Sequence, residues 1–301
     1  MRALLVSLLA IQPLFAELTV EQQKVPLEVD APDASYTKIV LLAGSMSNKP
    51  GQHEYFAGCA LLAKCLKQTE RVWPVMVADG WPKNEAVLVG AKSVVSYMDA
   101  GQKLAWLQPD RWAKMKRLIE SGTGLVAMHQ SVEVPTAQAE EFKSWLGGVW
   151  QADNGCRGHW DMSFGQPNTH AITANTTGFD APKDGWLFNL HFAPEHVTPI
   201  LAGTVPDNVR KTPDAQSHKG RNEVIAWTYA PPGKARAFGF TGADLHSSWR
   251  IPSQRQLVVN AILWTAGLDV PAKGAPIALD DAEFAKNMDR KIFQPKKKAK
   301  P

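Results

Sequence analysis

The sequence predicts an α/β domain built around a mostly parallel sheet. Three observations carry that prediction. Four short apolar runs, at 37–44, 71–78, 92–98 and 124–129, read as strands, and the first and last are apolar enough to be buried on both faces. Helical patterns alternate with these runs through the first half of the chain, the signature of parallel strands with helices packed on the sheet. No repeat and no linker divides the 301 residues, so one domain with an elaborated middle is expected.

The elements follow in order. Residues 1–16, MRALLVSLLAIQPLFA, carry Arg2, an apolar run at 3–11, a break at Pro13 and a small residue, Ala16. That is the pattern of an export leader cleaved before Glu17, and it is too short to span a membrane. Residues 17–36, polar with Pro26 and Pro32, form a lead-in. The strand at 37–44 ends in Gly44 and a loop, 45–52. The stretch 53–67 then has apolar residues at 56, 59, 62 and 66, which is helical spacing. Pro74 marks the strand at 71–78 as an edge or an irregular start. After the strand at 92–98, a helix at 107–120 is amphipathic through Trp112, Met115 and Ile119. The strand at 124–129 precedes a helix at 136–146. Residues 150–220 are rich in turns and short strands such as HWDMSF. Strands at 222–229 and 236–242 follow, then a helix at 254–266 with Leu257, Val258, Ala261 and Ile262 inward, closed by Gly267 and Pro271.

Composition narrows the function. The chain is 45% hydrophobic and 21% charged, which excludes global disorder. Its net charge is +4, but Arg2 and the lysines at 296, 297, 298 and 300 supply more than that excess. The body has no basic face, so nucleic acid is not an expected partner. No later segment is apolar enough to cross a bilayer. Eleven tryptophans suit either a well-filled core or a stacking surface for sugars. Cys59 and Cys65 fall on one helix, separated by about 600° of rotation and about 9 Å of rise, so they point apart and do not pair. With Cys156 they read as buried free thiols.

Ligands of open parallel sheets bind beyond the strand carboxyl ends, so the residues just past each run are the candidates. These are His53 and Glu54, then Asp99, then His129 with Gln130 and Glu133, then Thr241, His246 and Trp249. Each also has an ordinary structural role open to it, as a cap, a turn former or a core residue. There is no G-x-G-x-x-G after the first strand, no P-loop and no G-x-S-x-G. No cysteine follows a buried strand. His129 stands where an elbow nucleophile would, and an imidazole there points to acid–base work, polarisation or metal ligation. His53, His129, His159, His191 and His246 leave a divalent metal open, although none lies in a short-spaced ligand motif.

KIVLLAG followed by PGQHEYFAGCALLAKCL resembles the start of the ThuA-like (trehalose utilisation) proteins. DGWPKN, YMDAG, GLVAMHQSVEVP, WLGG, GHWDMSF, THAIT, VTPIL, VIAWTY, FGFTGADLHSSW and LVVNAILWTAGLDVP follow in the family's order, so the resemblance spans about 37–271, with 272–301 as a C-terminal extension. It implies a flavodoxin-like sandwich of the class I glutamine amidotransferase type without the cysteine nucleophile. It also implies work on trehalose-like disaccharides or their oxidised 3-keto forms. On that footing the reaction is of hydrolase, lyase or isomerase type, His129 is the acid–base or electrophilic residue, Asp99 or Glu133 orients it, and His53, Glu54, Gln130, Trp160, His191, Thr241, His246 and Trp249 hold the sugar. Three positions depart from the pattern. Gly185 stands where D-E-W has its second acid, the turn DAGQKL lacks a histidine, and GADLH has Asp244 where a histidine is usual. These departures, with Trp249 retained, define the alternative expectation of a carbohydrate-binding or scaffold protein without turnover.

Overall fold

A computed structural model describes residues 17–292; the expected leader at 1–16 and the terminal lysine run lie outside them. Strands β1 (Thr37–Ala43), β2 (Val72–Val77), β3 (Ser93–Tyr97) and β4 (Gly124–Met128) occupy the four apolar runs. Helices α1 (Tyr55–Leu66), α2 (Pro109–Glu120) and α3 (Thr136–Leu146) follow β1, β3 and β4. Between β2 and β3 stands only a 3-10 turn, Glu85–Leu88, so the three helices of this half are the three that the sequence pattern marks.

The middle is a set of short hairpin-like pairs. It comprises β5 (Gly148–Val149), β6 (Cys156–His159), β7 (Met162–Phe164), β8 (Phe179–Ala181), β9 (Gly185–Phe188) and β10 (His191–Phe192). β10 pairs with β5, β6 with β9, and β7 with β8, all antiparallel. HWDMSF is therefore not one strand. The chain breaks at Trp160 and Asp161, and its two halves find different partners. β11 (Val197–Thr204) was not expected, because Pro199 and Gly203 interrupt its pattern; it is an edge strand with a bulge beside Pro199, where a missing N–H costs nothing. A short α4 (Pro213–Ser217) precedes β12 (Asn222–Tyr229), β13 (Ala237–Phe240) and α5 (Pro252–Thr265).

The main sheet runs β11-β12-β13-β4-β3-β1-β2. β2, β1, β3, β4 and β13 are parallel, and β12 and β11 join antiparallel at the far edge. The parallel part has the doubly wound order in which β1 and β3 flank the point where the winding reverses. Side chains alternate between two cores. Ile39, Leu41 and Ala43 of β1 pack toward α1 and α5, whereas Val40 and Leu42 pack toward α2 and α3. Trp106, Trp112, Phe142 and Trp145 fill the second core as a stack, so these tryptophans are packing residues rather than a sugar surface.

α5 is buried on every side, polar positions included. Its outer face is covered by the chain after 271. Asn260 accepts from the Ala275 backbone, and the Arg255 guanidinium lies over the ring of Phe284. All three cysteines are free and buried. Burial pushes the Cys65 thiol up to about 11 and the Cys59 thiol higher still. Among the described residues, no helix is long and apolar enough to cross a membrane.

Candidate active site

The carboxyl ends of β1, β3, β4 and β13 open on one rim, and four side chains from the segments beyond them meet there. Asp99 comes two residues after β3, His129 directly after β4, His53 from the loop before α1, and Asp244 from the loop after β13. His53 and His129 both hold left-handed backbone angles, φ +50° and +53°, as does Ala243 at +68° beside Asp244. A side chain other than glycine resists that conformation, and tertiary contacts must hold it there. At His129 the sharp turn from a buried strand into the 3-10 helix His129–Val132 aims the imidazole over the sheet edge, as a nucleophile elbow aims its serine.

The loops of His53 and Asp244 are zipped together. His53 N–H donates to the Asp244 carbonyl at 3.0 Å, His246 N–H to the Gly51 carbonyl at 2.9 Å, and Gln52 bridges to Leu245. Asp184, fully buried, accepts from the backbone N–H groups of Gly185, Ala243 and Leu245 and so fixes the Asp244 loop from below.

The side chains form a closed network. His53 Nδ1 lies 2.8 Å from Asp99 Oδ1, which also accepts from the Tyr55 hydroxyl at 2.7 Å and the Ser47 hydroxyl at 3.0 Å. His53 Nε2 lies 2.9 Å from Asp244 Oδ1 and 3.2 Å from His129 Nε2. His129 Nε2 is 3.4 Å from that same oxygen, and its Nδ1 is 3.1 Å from the Thr241 carbonyl. Asp244 Oδ2 is held separately, by His159 Nε2 at 2.8 Å and the Gln52 amide at 2.9 Å. His53, His129 and Asp244 offer one ligand atom each within a small volume, a group suited to a metal ion.

These contacts set the charges. Burial alone would raise the Asp99 carboxyl, but hydrogen bonds from His53 and Tyr55 outweigh it and hold it well below the usual carboxylate range. Burial is likewise overcome at Asp244, where His129, His53 and His159 stabilise the anion. For His53 burial favours the neutral ring, yet the two flanking carboxylates together raise its pKa.

Above this network opens a cleft of about 480 Å³, lined by His53, Asp99, Gln102, Lys103, Gln130, Glu133 and Arg157 among others. Glu133 is half-buried, with Arg157 Nη2 3.0 Å from its Oε2. Burial raises its pKa, and the arginine only partly offsets this. Other hollows lie elsewhere, one of about 480 Å³ between the lead-in and α1 and one of about 580 Å³ beside it, but they hold no comparable constellation.

The structure thus brings together His53, Asp99 and His129, with Gln130 and Glu133 on the cleft wall. The other expected residues lie elsewhere. Thr241 contributes its carbonyl, while its own side chain is buried without a partner. Glu54 is enclosed, accepting from the backbone of Gly51 and Asp289 and paired with Lys291. By residue 246 the chain has turned into the 3-10 helix His246–Arg250, which carries His246 under the Phe284 carbonyl and Trp249 into the core against Tyr97. Trp249 is fully buried and presents no face to a sugar. Trp160 packs on Trp186 and Phe188, and His191 sits in β10 opposite Val149, outside the cluster's hydrogen bonds. Asp244, Gln52 and Asp184 were not anticipated as site residues, and His159 only as one of five histidines left open for a metal. Asp244 had stood out only as a missing histidine.

Residues 40–265 match the model of the ThuA family, described as trehalose utilisation. Among solved structures, the chain is similar to a ThuA-like protein from Bacteroides uniformis, with 15% identity and a TM-score of 0.57, covering 82% of this chain and 97% of that one. It is also similar to one from Parabacteroides merdae, with 15% identity and a TM-score of 0.55, covering 78% and 92%. At such identity these structures speak to the fold. No curated protein matches the chain.

Proposed function

Because the chain belongs to the ThuA family, we propose that it is an exported enzyme acting on a disaccharide or its oxidised 3-keto derivative by proton transfer in the cleft. The observation that carries the reading is the pair of imidazoles, His53 and His129, held in left-handed backbone conformations against buried Asp244 at the floor of an open cleft. Backbone strain of this kind is kept where side chains must be aimed.

The chemistry follows from the placement of charges. A ketone beside the His53–His129–Asp244 centre is polarised, which acidifies the hydrogen on the neighbouring carbon. Glu133, on the same cleft wall and with a raised pKa, is the base that takes this proton. The electron pair moves onto the carbonyl oxygen as an enolate. With a hydroxyl on the neighbouring carbon, transfer of its proton to the enolate oxygen and return of the Glu133 proton to the former carbonyl carbon gives isomerisation; collapse of the enolate with loss of the glycosidic oxygen, which takes up the Glu133 proton and leaves as a sugar hydroxyl, gives elimination. Lys103 and Arg157 stand at the cleft to meet hydroxyls or developing negative charge. The binding-only alternative combined the departures at Gly185, DAGQKL and Asp244 with a retained Trp249 as the sugar-facing ring, and that ring is inside the core.

The test is turnover of native and 3-keto disaccharides by the purified mature protein. His129→Asn keeps a residue that tolerates the left-handed backbone and should lower the rate by about 10²–10⁴-fold with an unchanged circular dichroism spectrum. Glu133→Gln should do the same and remove the acid limb of the rate profile, which should lie above the usual carboxylate range because the base must be ionised. Equal rates in parent and variants would overturn the proposal.

A further inference from the structure

We propose that His53 Nε2, His129 Nε2 and Asp244 Oδ1 bind one divalent first-row transition-metal ion, which serves as the electrophile of the site. The inference deepens the reading above and rests on it for the ion's role, but not for the ion's presence.

The protons come first. Asp99 Oδ1 and the Thr241 carbonyl can only accept, so the ring nitrogens facing them, His53 Nδ1 and His129 Nδ1, carry the hydrogens. In the neutral rings both Nε2 atoms are then bare lone pairs. They face each other at 3.2 Å, and both face Asp244 Oδ1, another acceptor, at 2.9 and 3.4 Å. With both rings neutral, three lone pairs thus converge with no hydrogen among them, and only an added proton or a cation joins them. The nearest further donor is the amide of exposed Asn48, 3.3 Å from His53 Nε2, and it does not reach between the other two. A cation resolves the repulsion.

The triangle also has the right size. Ligand atoms about 2.0–2.2 Å from a shared ion lie about 2.9–3.5 Å from one another in tetrahedral or octahedral geometry. The observed edges, 2.9, 3.2 and 3.4 Å, fall in that range. An ion about 2.1 Å from all three would sit about 1 Å off their plane, leaving its other face for water or a substrate oxygen. Two imidazoles and one carboxylate on one face favour Mn, Fe, Co or Zn over magnesium and calcium, which prefer all-oxygen shells.

The surrounding residues are those a metal centre needs. Asp99 and Thr241 fix the tautomer and tilt of each ring, while His159 and Gln52 hold Asp244 Oδ2 and leave Oδ1 free. Asp99 is itself gripped by Tyr55 and Ser47.

The experiment uses the purified mature chain, stripped with a chelator, desalted and titrated with cobalt(II) and zinc(II), with magnesium(II) as the control ion. Cobalt absorption and calorimetry report binding without any substrate. The expected result is one ion per chain, with millimolar magnesium failing to compete. Affinity should fall about 100-fold or more in both Asp244→Asn and His129→Asn, and about 10–100-fold in His159→Ala. Asp244→Asn preserves shape, so its melting curve separates lost ligation from lost folding. Glu133→Gln should keep the ion while losing turnover. No saturable binding, or binding equally tight in Asp244→Asn and His129→Asn, would mean that a shared proton joins the three groups and would overturn the metal site. An ion bound without turnover of any sugar would overturn the proposed function and leave the metal site standing. Full turnover by the stripped protein would do the reverse.

Discussion

Gly185 and Asp244 fit against each other. A Cβ at 185 would come within 2.7 Å of Asp244 Cβ and 2.9 Å of its Oδ2. The two departures from the familial pattern are therefore neighbours: the absence of a side chain at one makes room for the carboxylate at the other. Gly185→Ala should cost about 1–3 kcal/mol by overpacking, read by urea denaturation. It should also lower cobalt affinity and turnover at least about 10-fold, because the methyl displaces a ligand rather than removing it. A variant that loses stability but binds and turns over normally would show that Gly185 matters only for packing. His53, Asp99 and His129 were legible because a residue just past an apolar strand has few places to go. Asp244 was not, because its meaning depends on Gly185, distant in sequence. His246 and Trp249 misled because a few residues of 3-10 helix suffice to turn a side chain from the rim into the interior.

At the scale of elements, the segment after α5 acts as a strap over the loop that carries His53. The Lys291 ammonium donates to the carbonyls of Gln52 and His53 and lies 3.2 Å from Glu54 Oε1, with both side chains almost wholly buried. Lys291→Met would leave the Glu54 charge buried and unpaired, at a cost of about 3–5 kcal/mol. Adding Glu54→Gln should recover part of that loss, and denaturation of the single and double variants measures it. A loss of less than about 1 kcal/mol would show that the pair is solvated. The long elements were readable from apolar runs and helical spacing, because burial on two faces leaves an unbroken pattern. The pairs β5–β10, β6–β9 and β7–β8 were not, since strands of two to four residues carry too little periodicity. α5 read as one-sided because the strap that buries its polar face lies beyond it in the chain.

The whole molecule places its reactive groups at the winding reversal between β1 and β3 and buries its three thiols. The native protein should therefore leave a thiol reagent almost unreacted, and three thiols should appear on unfolding in guanidinium. Rapid labelling of the folded protein would contradict the burial. The proposed leader is checked by sequencing the native N-terminus, expected at or near Glu17. The strap has one more consequence, which concerns timing. His53 leaves the ribosome 238 residues ahead of the lysine that caps its carbonyl. Until then Glu54 has no counter-charge and its loop stays hydrated. The long-range contacts that finish the site form last. The proposed site should thus become competent only after Lys291 has emerged and closed over its loop.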